Sequence, residues 1–495
     1  MVAVAEPTTL SAPSTGRWGR LVAFVGRHRW FAAALGLGAL LRVITMLGFG
    51  PAMWFNDSYD YISVALHPRP HPIRPDGYGF WLLLLKPLHS LALVVFTQHL
   101  MGLAGGLLIY ALLTRRFGLP GWGATLAAVP VLFDAYQIQI EQMIMSDAMF
   151  TLLVVGVVTL VLWHRRMSWK VGAAVGGLLA LTALTRSIGL PILALVVVYL
   201  LVKRTNWKPI LAMVLACAIP VAGYMGWFKA VNGQFAMTSS DGVILYMRTA
   251  SFSDCHEMGL DPRAELKLAL LCIPKKPADR GPSAQAYLWW DNDNQIHVFG
   301  AGMKFDAEMN QNTGAFATRA ILSQPGDYLA VVAKDFIRAF RWDREPFPDT
   351  KTFLQYEFGN NITTRLPQWT SFRGQTHTDA ETYENGPAAT VNTRPWADIM
   401  IVYQKIVRLP GLALGLLLLI GLYGVALRWR KLGGPVLLPW LASVGLILAP
   451  AATAEFDYRY LIPAAPLACL AAAITLRHGI RLTRKKDDDP QEITA

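Results

Sequence analysis

The chain has 495 residues, 54% of them hydrophobic and 16% charged, with a net charge of +12. A soluble protein of this length carries about 25% charged residues, so a globular enzyme on a single anchor is excluded and an all-α polytopic membrane protein is expected. The positive excess does not suggest nucleic acid, because the basic residues stand between apolar runs, where topology accounts for them.

Residues 1–28 read as a cytoplasmic tail, small and polar at its start, with no cleavable signal pattern. A spanning helix needs about 20 mostly apolar residues. Ten stretches qualify: 29–49, 92–113, 119–135, 146–164, 170–186, 188–203, 208–228, 409–427, 435–453 and 459–476. With both termini inside, every inner segment is basic, from Arg17, Arg20, Arg27 and Arg29 through Arg115, Arg165, Lys203 and Arg428 to Arg481, Arg484, Lys485 and Lys486. The outer segments hold Asp57, Asp60, Asp134, Glu141, Asp147, Glu455 and Asp457. This divides the chain into a membrane core (29–228), an extracytoplasmic mixed domain (229–408) between spans seven and eight, C-terminal spans (409–476) and a cytoplasmic tail (477–495).

In the first outer loop, residues 57–66 read as a short amphipathic helix lying in the interface. The Pro-rich stretch 67–78 follows, stiffened by Pro68, Pro70, Pro72 and Pro75. In the large outer segment, Cys255 and Cys272 are expected to form a disulfide, as suits an oxidising exterior; two free thiols are the alternative. Residues 325–341 show helical periodicity, with Tyr328, Leu329, Val332, Phe336, Ile337 and Phe340 on one face and Lys334, Arg338 and Arg341 suited to lipid headgroups. Residues 343–395 have no sustained period and read as loop.

Two acidic helix starts carry the chemistry. Asp57 has a bland reading, a first-turn acid behind an Asn56 cap, and a functional one, a general base. Asp60 lies one turn on and faces the same side. Asp147 likewise follows a capping Ser146 or is a second site carboxylate. Glu141 reads as a solvated loop residue or a ligand to substrate. Outer cations Arg42, Arg69, Arg74, Lys86, Arg186 and Arg459 are suited to an anionic substrate, with interface anchoring as the alternative for each. Asp291-Asn292-Asp293-Asn294 lacks the Gly and terminal Glu of a calcium loop, and no zinc spacing occurs. Asn361-Ile362-Thr363 fits a glycosylation sequon. No phosphate-binding loop stands out. No cofactor is expected, and no motif indicates a divalent metal.

Four motifs are similar to those of the C-type integral-membrane glycosyltransferases, in the lipid-carrier-dependent branch with the protein O-mannosyltransferases and aminoarabinose transferases. They are Leu41-Arg42-Val43 leading to Asp57-Ser58 and Tyr61; Arg74-Pro75-Asp76-Gly77-Tyr78-Gly79; Ser146-Asp147; and the segment from Glu455 through Arg459-Tyr460 to Pro463. The resemblance spans 1–228 and 409–476 and leaves out the outer segment. It implies an outward-facing site in the plasma membrane, a polyprenyl-phosphate sugar donor, inversion at the anomeric carbon, and a glycan, lipid or protein acceptor. It implies Asp57 as base and Asp147 as second carboxylate; Asp60, Tyr61, Arg42, Arg74, Tyr78, Glu141, Arg186 and Arg459 are the candidate substrate contacts beside them. Many relatives have Asp-Glu where this chain has Asp57-Ser58. The competing readings are a lipid-linked-sugar flippase, which needs ionisable residues through the middle of several spans, and a membrane scaffold with an outer binding domain.

Overall fold

An apolar helix falls on each of the ten stretches that hydropathy selects. The computed structural model describes residues 26 and 28–487 except 282, 290–294, 297–304, 361–364 and 370–373, and leaves out the side chains of 286 and 478–487. The acidic run at Asp291, the sequon at Asn361, most of the N-terminal tail and the basic side chains of the C-terminal tail beyond Arg477 therefore lie outside what is described.

The membrane-type helices are α1 (Arg29–Gly48), then, after the outer helices α2 (Asn56–Leu66) and α3 (Gly77–Leu85), α4 (Leu91–Ala111) and α5 (Gly121–Phe133). A short outer helix α6 (Ala135–Gln142) leads to α7 (Asp147–Trp163), α8 (Trp169–Thr185), α9 (Gly189–Val202) and α10 (Trp207–Asn232). Among the described residues, five helices are long and apolar enough to cross a membrane; a sixth span arises if the bent pair Trp396–Ile406 and Gly411–Ala426 counts as one. Four of the stretches, α5 and α7 to α9, form shorter apolar helices. The α5 helix stops early because Asp134 turns extended and its carboxylate accepts the Tyr136 N–H, which starts α6. Gly172 and Gly176 face α10 one turn apart. A Cβ at either would overlap the backbone oxygen of Pro209 or Met213, so α8 and α10 meet backbone to backbone.

The outer segment follows with α11 (Asp241–Thr249), α12 (Ala307–Ser323), α13 (Pro325–Arg338), α14 (Thr376–Glu384) and α15 (Trp396–Ile406). Then come α16 (Gly411–Ala426), α17 (Leu437–Thr453) and α18 (Leu461–Asp487). The expectation of a mixed outer domain is corrected. The regular elements among its described residues are helices but for β2 (Val391–Asn392), which pairs antiparallel with β1 (Phe49–Gly50) of the first loop. Residues 241–323 have their own apolar core around Tyr246, Leu271, Phe316 and Ala317, and Cys255 and Cys272 form a disulfide with Cα atoms 6.0 Å apart.

Residues 343–395 contain a short helix, Thr350–Leu354, then α14 and β2, and they pack onto the first loop. Trp54 Nε1 donates to the Ala388 carbonyl at 3.0 Å, Thr390 Oγ1 to Ala52 at 2.8 Å and Tyr383 OH to Leu82 at 2.7 Å. Helix α13 ends at Arg338, and its faces differ from the expected ones. Val332, Asp335 and Arg338 turn inward, while Leu329 and Ile337 are exposed. Partners explain the inward charges: Arg248 donates to Asp335 at 2.7 Å, and the Arg338 guanidinium lies 3.7 Å from the Phe347 ring centre.

Candidate active site

The site is built on α2. Its first turn is closed by Ser58, whose Oγ accepts the Phe55 N–H at 2.9 Å, so Phe55 precedes the helix and Asn56 is its first residue rather than its cap. Seven of its eleven residues are buried, including Tyr59, Tyr61 and Ile62. The helix therefore lies against the core rather than along a membrane surface. Asp57 and Asp60 sit on its open side, with 19% and 21% of their side chains exposed.

The turn after α2 brings a cation to both. Asp76, itself buried, accepts the His71 N–H on its carboxylate at 3.2 Å and receives Tyr224 OH at 3.4 Å. With prolines restricting the intervening backbone, Arg74 reaches back to Asp57 at 3.0 Å and Asp60 at 3.3 Å, its guanidinium 5.3 Å from the Tyr61 ring centre. His71 Nε2 stands 3.7 Å from Asp60. From the other end of the chain, the turn before α18 supplies Arg459, which donates to Asp57 at 2.6 Å and lies 3.6 Å from Asp457. Asp457 in turn accepts Tyr356 OH at 2.9 Å.

A second charged pair lies beside this one. Asp147 opens α7 and pairs with Arg186 at the end of α8. Ser146 does not cap α7; its Oγ shares a 2.9 Å hydrogen bond with Tyr61 OH, which ties α7 to α2. Arg186 and Arg459 both stand 5.4 Å from the ring centre of Tyr460, so one ring joins the two pairs. The other Asp147 oxygen is buried with no hydrogen-bond partner among the described residues. Asp147, Arg186 and Tyr460 line a cavity of about 450 Å³. Its other walls are mostly apolar: Ile188 and Pro191 near the start of α9, Leu446 and Pro450 of α17, and Ile244 of α11, beside Asp241.

Electrostatics separates the α2 carboxylates. Burial raises the pKa of Asp57, but the charges of Arg74 and Arg459 more than reverse this and hold it well below the usual carboxylate range. For Asp60, burial again raises the pKa, Arg74 alone lowers it and Asp57 raises it, leaving it pushed up to about 6. Burial lowers the pKa of Arg74, yet Asp57 and Asp60 leave it above its ordinary value.

The structure places three expected substrate contacts elsewhere. Glu141 is fully buried, not solvated, and Arg42 does not snorkel. Arg42 Nε and Nη2 donate to the Glu141 carboxylate at 2.7 and 2.9 Å, His99 Nδ1 is 2.9 Å away and Gln137 donates at 2.8 Å. The carboxylate fits because α4 has Gly102 there, where a Cβ would overlap it. Tyr78 is buried beneath Tyr61 and donates to Gln98 at 2.6 Å. None of the three is among the residues that line the cavity. Conversely, His71, Tyr356, Asp457 and Tyr460 belong to the site but were not singled out. Tyr460 adjoins Arg459 in the Arg-Tyr motif and was legible; Tyr356 lies in an aperiodic stretch. Among the described residues, no three His, Cys, Asp or Glu side chains are grouped to hold a metal ion.

The helices and their hydropathy define a multi-pass membrane protein. No family model matches the chain, and no curated protein matches it. Among solved structures it is similar to ArnT from Cupriavidus metallidurans bound to undecaprenyl phosphate, at 14% identity and TM-score 0.36, over 97% of this chain and 82% of that one. It is also similar to the archaeal oligosaccharyltransferase AglB from Archaeoglobus fulgidus in complex with an inhibitory peptide and a dolichol-phosphate. That match has 12% identity and TM-score 0.39 and covers 94% of this chain but only 52% of that one. Likenesses this loose do not fix chemistry, so the functional reading rests on the residues of the site.

Proposed function

We propose that the protein is a membrane glycosyltransferase that moves a sugar from a polyprenyl-phosphate carrier to a hydroxyl of an extracytoplasmic acceptor, with inversion. The observation that carries this is the meeting of Arg74, Arg186 and Arg459 with carboxylates beside an apolar cavity. An anionic head on an apolar chain suits that combination, and the arginine forks suit phosphate. The acceptor oxygen attacks the anomeric carbon and gives its proton to an α2 carboxylate. The carbon–oxygen bond to phosphate breaks, and its electron pair leaves with the polyprenyl phosphate. Phosphate is a weak base, so guanidinium charge stabilises it without a general acid. The reading invokes no cofactor.

Ten spans with both termini in the cytoplasm suit the basic inner segments, and put the site on the outer face of the plasma membrane. The acceptor, whether glycan, lipid or protein, enters beside the outer segment, which contributes Asp241 and Ile244 to the cavity. Purified protein in nanodiscs, given a panel of undecaprenyl-phosphate sugars with candidate acceptors, is expected to release sugar from at least one carrier. Binding of the lipids with no release from any of them would refute the reading.

A further inference from the structure

The two α2 carboxylates differ in what holds them. Asp57 Oδ2 is shared between Arg459 at 2.6 Å and Arg74 at 3.0 Å. Asp60 touches one guanidinium, Arg74 at 3.3 Å, and faces the imidazole of His71. The chain orients that ring. His71 is 2% exposed, its own N–H goes to Asp76, and the Ile73 N–H donates to its Nδ1 at 3.2 Å. A ring nitrogen that accepts a hydrogen bond carries no proton, so the proton of the neutral imidazole is on Nε2, the nitrogen nearer Asp60.

We propose that Asp60, aimed by His71, takes the proton of the acceptor hydroxyl, while Asp57 is the anion that holds Arg74 and Arg459 ready for the donor phosphate. This rests on the transfer reaction proposed above and assigns its base. The acceptor O–H bond breaks and the proton passes to a free lone pair of Asp60. The oxygen's electron pair forms the new bond to the anomeric carbon, and the pair of the broken carbon–phosphate link leaves on the phosphate. His71 is a positioning residue: it acts on Asp60 and not on the substrate.

The surrounding charges support the division. Asp60 is faced by Arg74 and His71 from the turn and by Asp57 from its own helix, with Asp76 beneath His71 and Arg459 beyond Asp57. Burial raises its pKa first, and the balance with Arg74 and Asp57 puts it at about 6, near the range where a general base works best. Asp57, between two guanidiniums, has little affinity for a proton. The 3.7 Å approach of His71 exceeds a hydrogen bond; such contacts tighten when substrate binds.

Full-length protein in nanodiscs tests this with two readouts. Infrared difference spectra, stepped across about pH 4 to 8 to cover both carboxyl states, are expected to show a carboxyl band titrating near pH 6 that Asp60→Asn removes and that Asp57→Asn keeps but shifts to lower pH, because the Asp57 charge that raises it has gone. Single-turnover transfer from undecaprenyl-phosphate sugars is expected to fall about 10²–10⁴-fold in Asp60→Asn, and by less in Asp57→Asn. His71→Ala is expected to move the acidic limb of the pH–rate profile to higher pH, and His71→Gln, which keeps an N–H in place, to move it back. Wild-type turnover in Asp60→Asn, or a larger loss in Asp57→Asn, overturns the assignment of the base. An unmoved limb in His71→Ala overturns the role of His71. No transfer by the wild type overturns the reaction itself, and this inference with it.

Discussion

Exchanging Asp57 for Asn is expected to tighten the binding of a lipid phosphate. Asp57 accepts a hydrogen bond from Arg459 at 2.6 Å and forms an ion pair with Arg74 at 3.0 Å, so an arriving phosphate must compete with it for both guanidiniums. Each charge-assisted contact contributes about 1.5–3 kcal/mol. Asn keeps the size and can still accept one hydrogen bond but carries no charge, so removing the competition returns roughly half of one such contact, about 1.4 kcal/mol, or tenfold in Kd. Arg459→Gln has the opposite sign and is expected to weaken binding by about tenfold or more, since it removes a donor fork. Two guanidiniums left facing each other also destabilise the Asn variant, which thermal unfolding of the same samples reports separately. The assay is undecaprenyl phosphate binding to purified protein in nanodiscs at two salt concentrations, because the charge effect weakens as salt screens it. Equal or weaker binding by Asp57→Asn would refute the idea that Asp57 occupies the place of the phosphate.

Other expectations follow from the same contacts. Glu141→Gln leaves Arg42 buried without its counter-charge and is expected to cost about 3–5 kcal/mol of stability, while Arg42→Met with Glu141→Met costs less; thermal unfolding compares them. Glu455 is buried, and burial pushes its pKa from 4.5 up to about 8 against the N–H groups of Ala284 and Gln285. The folded state then holds a proton that the unfolded chain has lost, so stability should fall as pH rises from about 4.5 to 8, and Glu455→Gln should flatten that fall. Cys255→Ser opens a disulfide closing a separation of 17 residues, and is expected to cost about 3 kcal/mol, read as faster hydrogen exchange over residues 241–323. A chelator is expected to leave transfer unchanged, since guanidinium charge, not a metal ion, meets the leaving phosphate in this account; loss of transfer restored by a divalent cation would contradict it.

The positions of the ten apolar helices were legible because lipid-facing residues such as Leu37, Leu126 and Leu419 must be apolar whatever the tertiary fold. The outer segment was not. The described residues of 343–395 are held by hydrogen bonds to a loop some 300 positions earlier, as Ala388 is by Trp54 across 334 residues, and no local period records such a pairing. Within the site, sequence marked Asp57, Asp60, Arg74, Asp147, Arg186 and Arg459, and the structure brings these together. It did not distinguish them from Glu141 and Arg42, which have the same charges at similar depths. Their burial depends on the space left by Gly102 and on carbonyls at Val131 and Leu132, both contributed by other helices.

The central claim is that this site transfers a sugar rather than passing its lipid carrier across the bilayer. Sealed proteoliposomes loaded with a labelled undecaprenyl-phosphate sugar, with acceptor outside, measure both events in one sample. The account predicts that label leaves the carrier for the acceptor with inverted anomeric configuration, and that Arg459→Gln slows this by about tenfold or more. Label that crosses the bilayer still attached to its carrier, with none released, would contradict it.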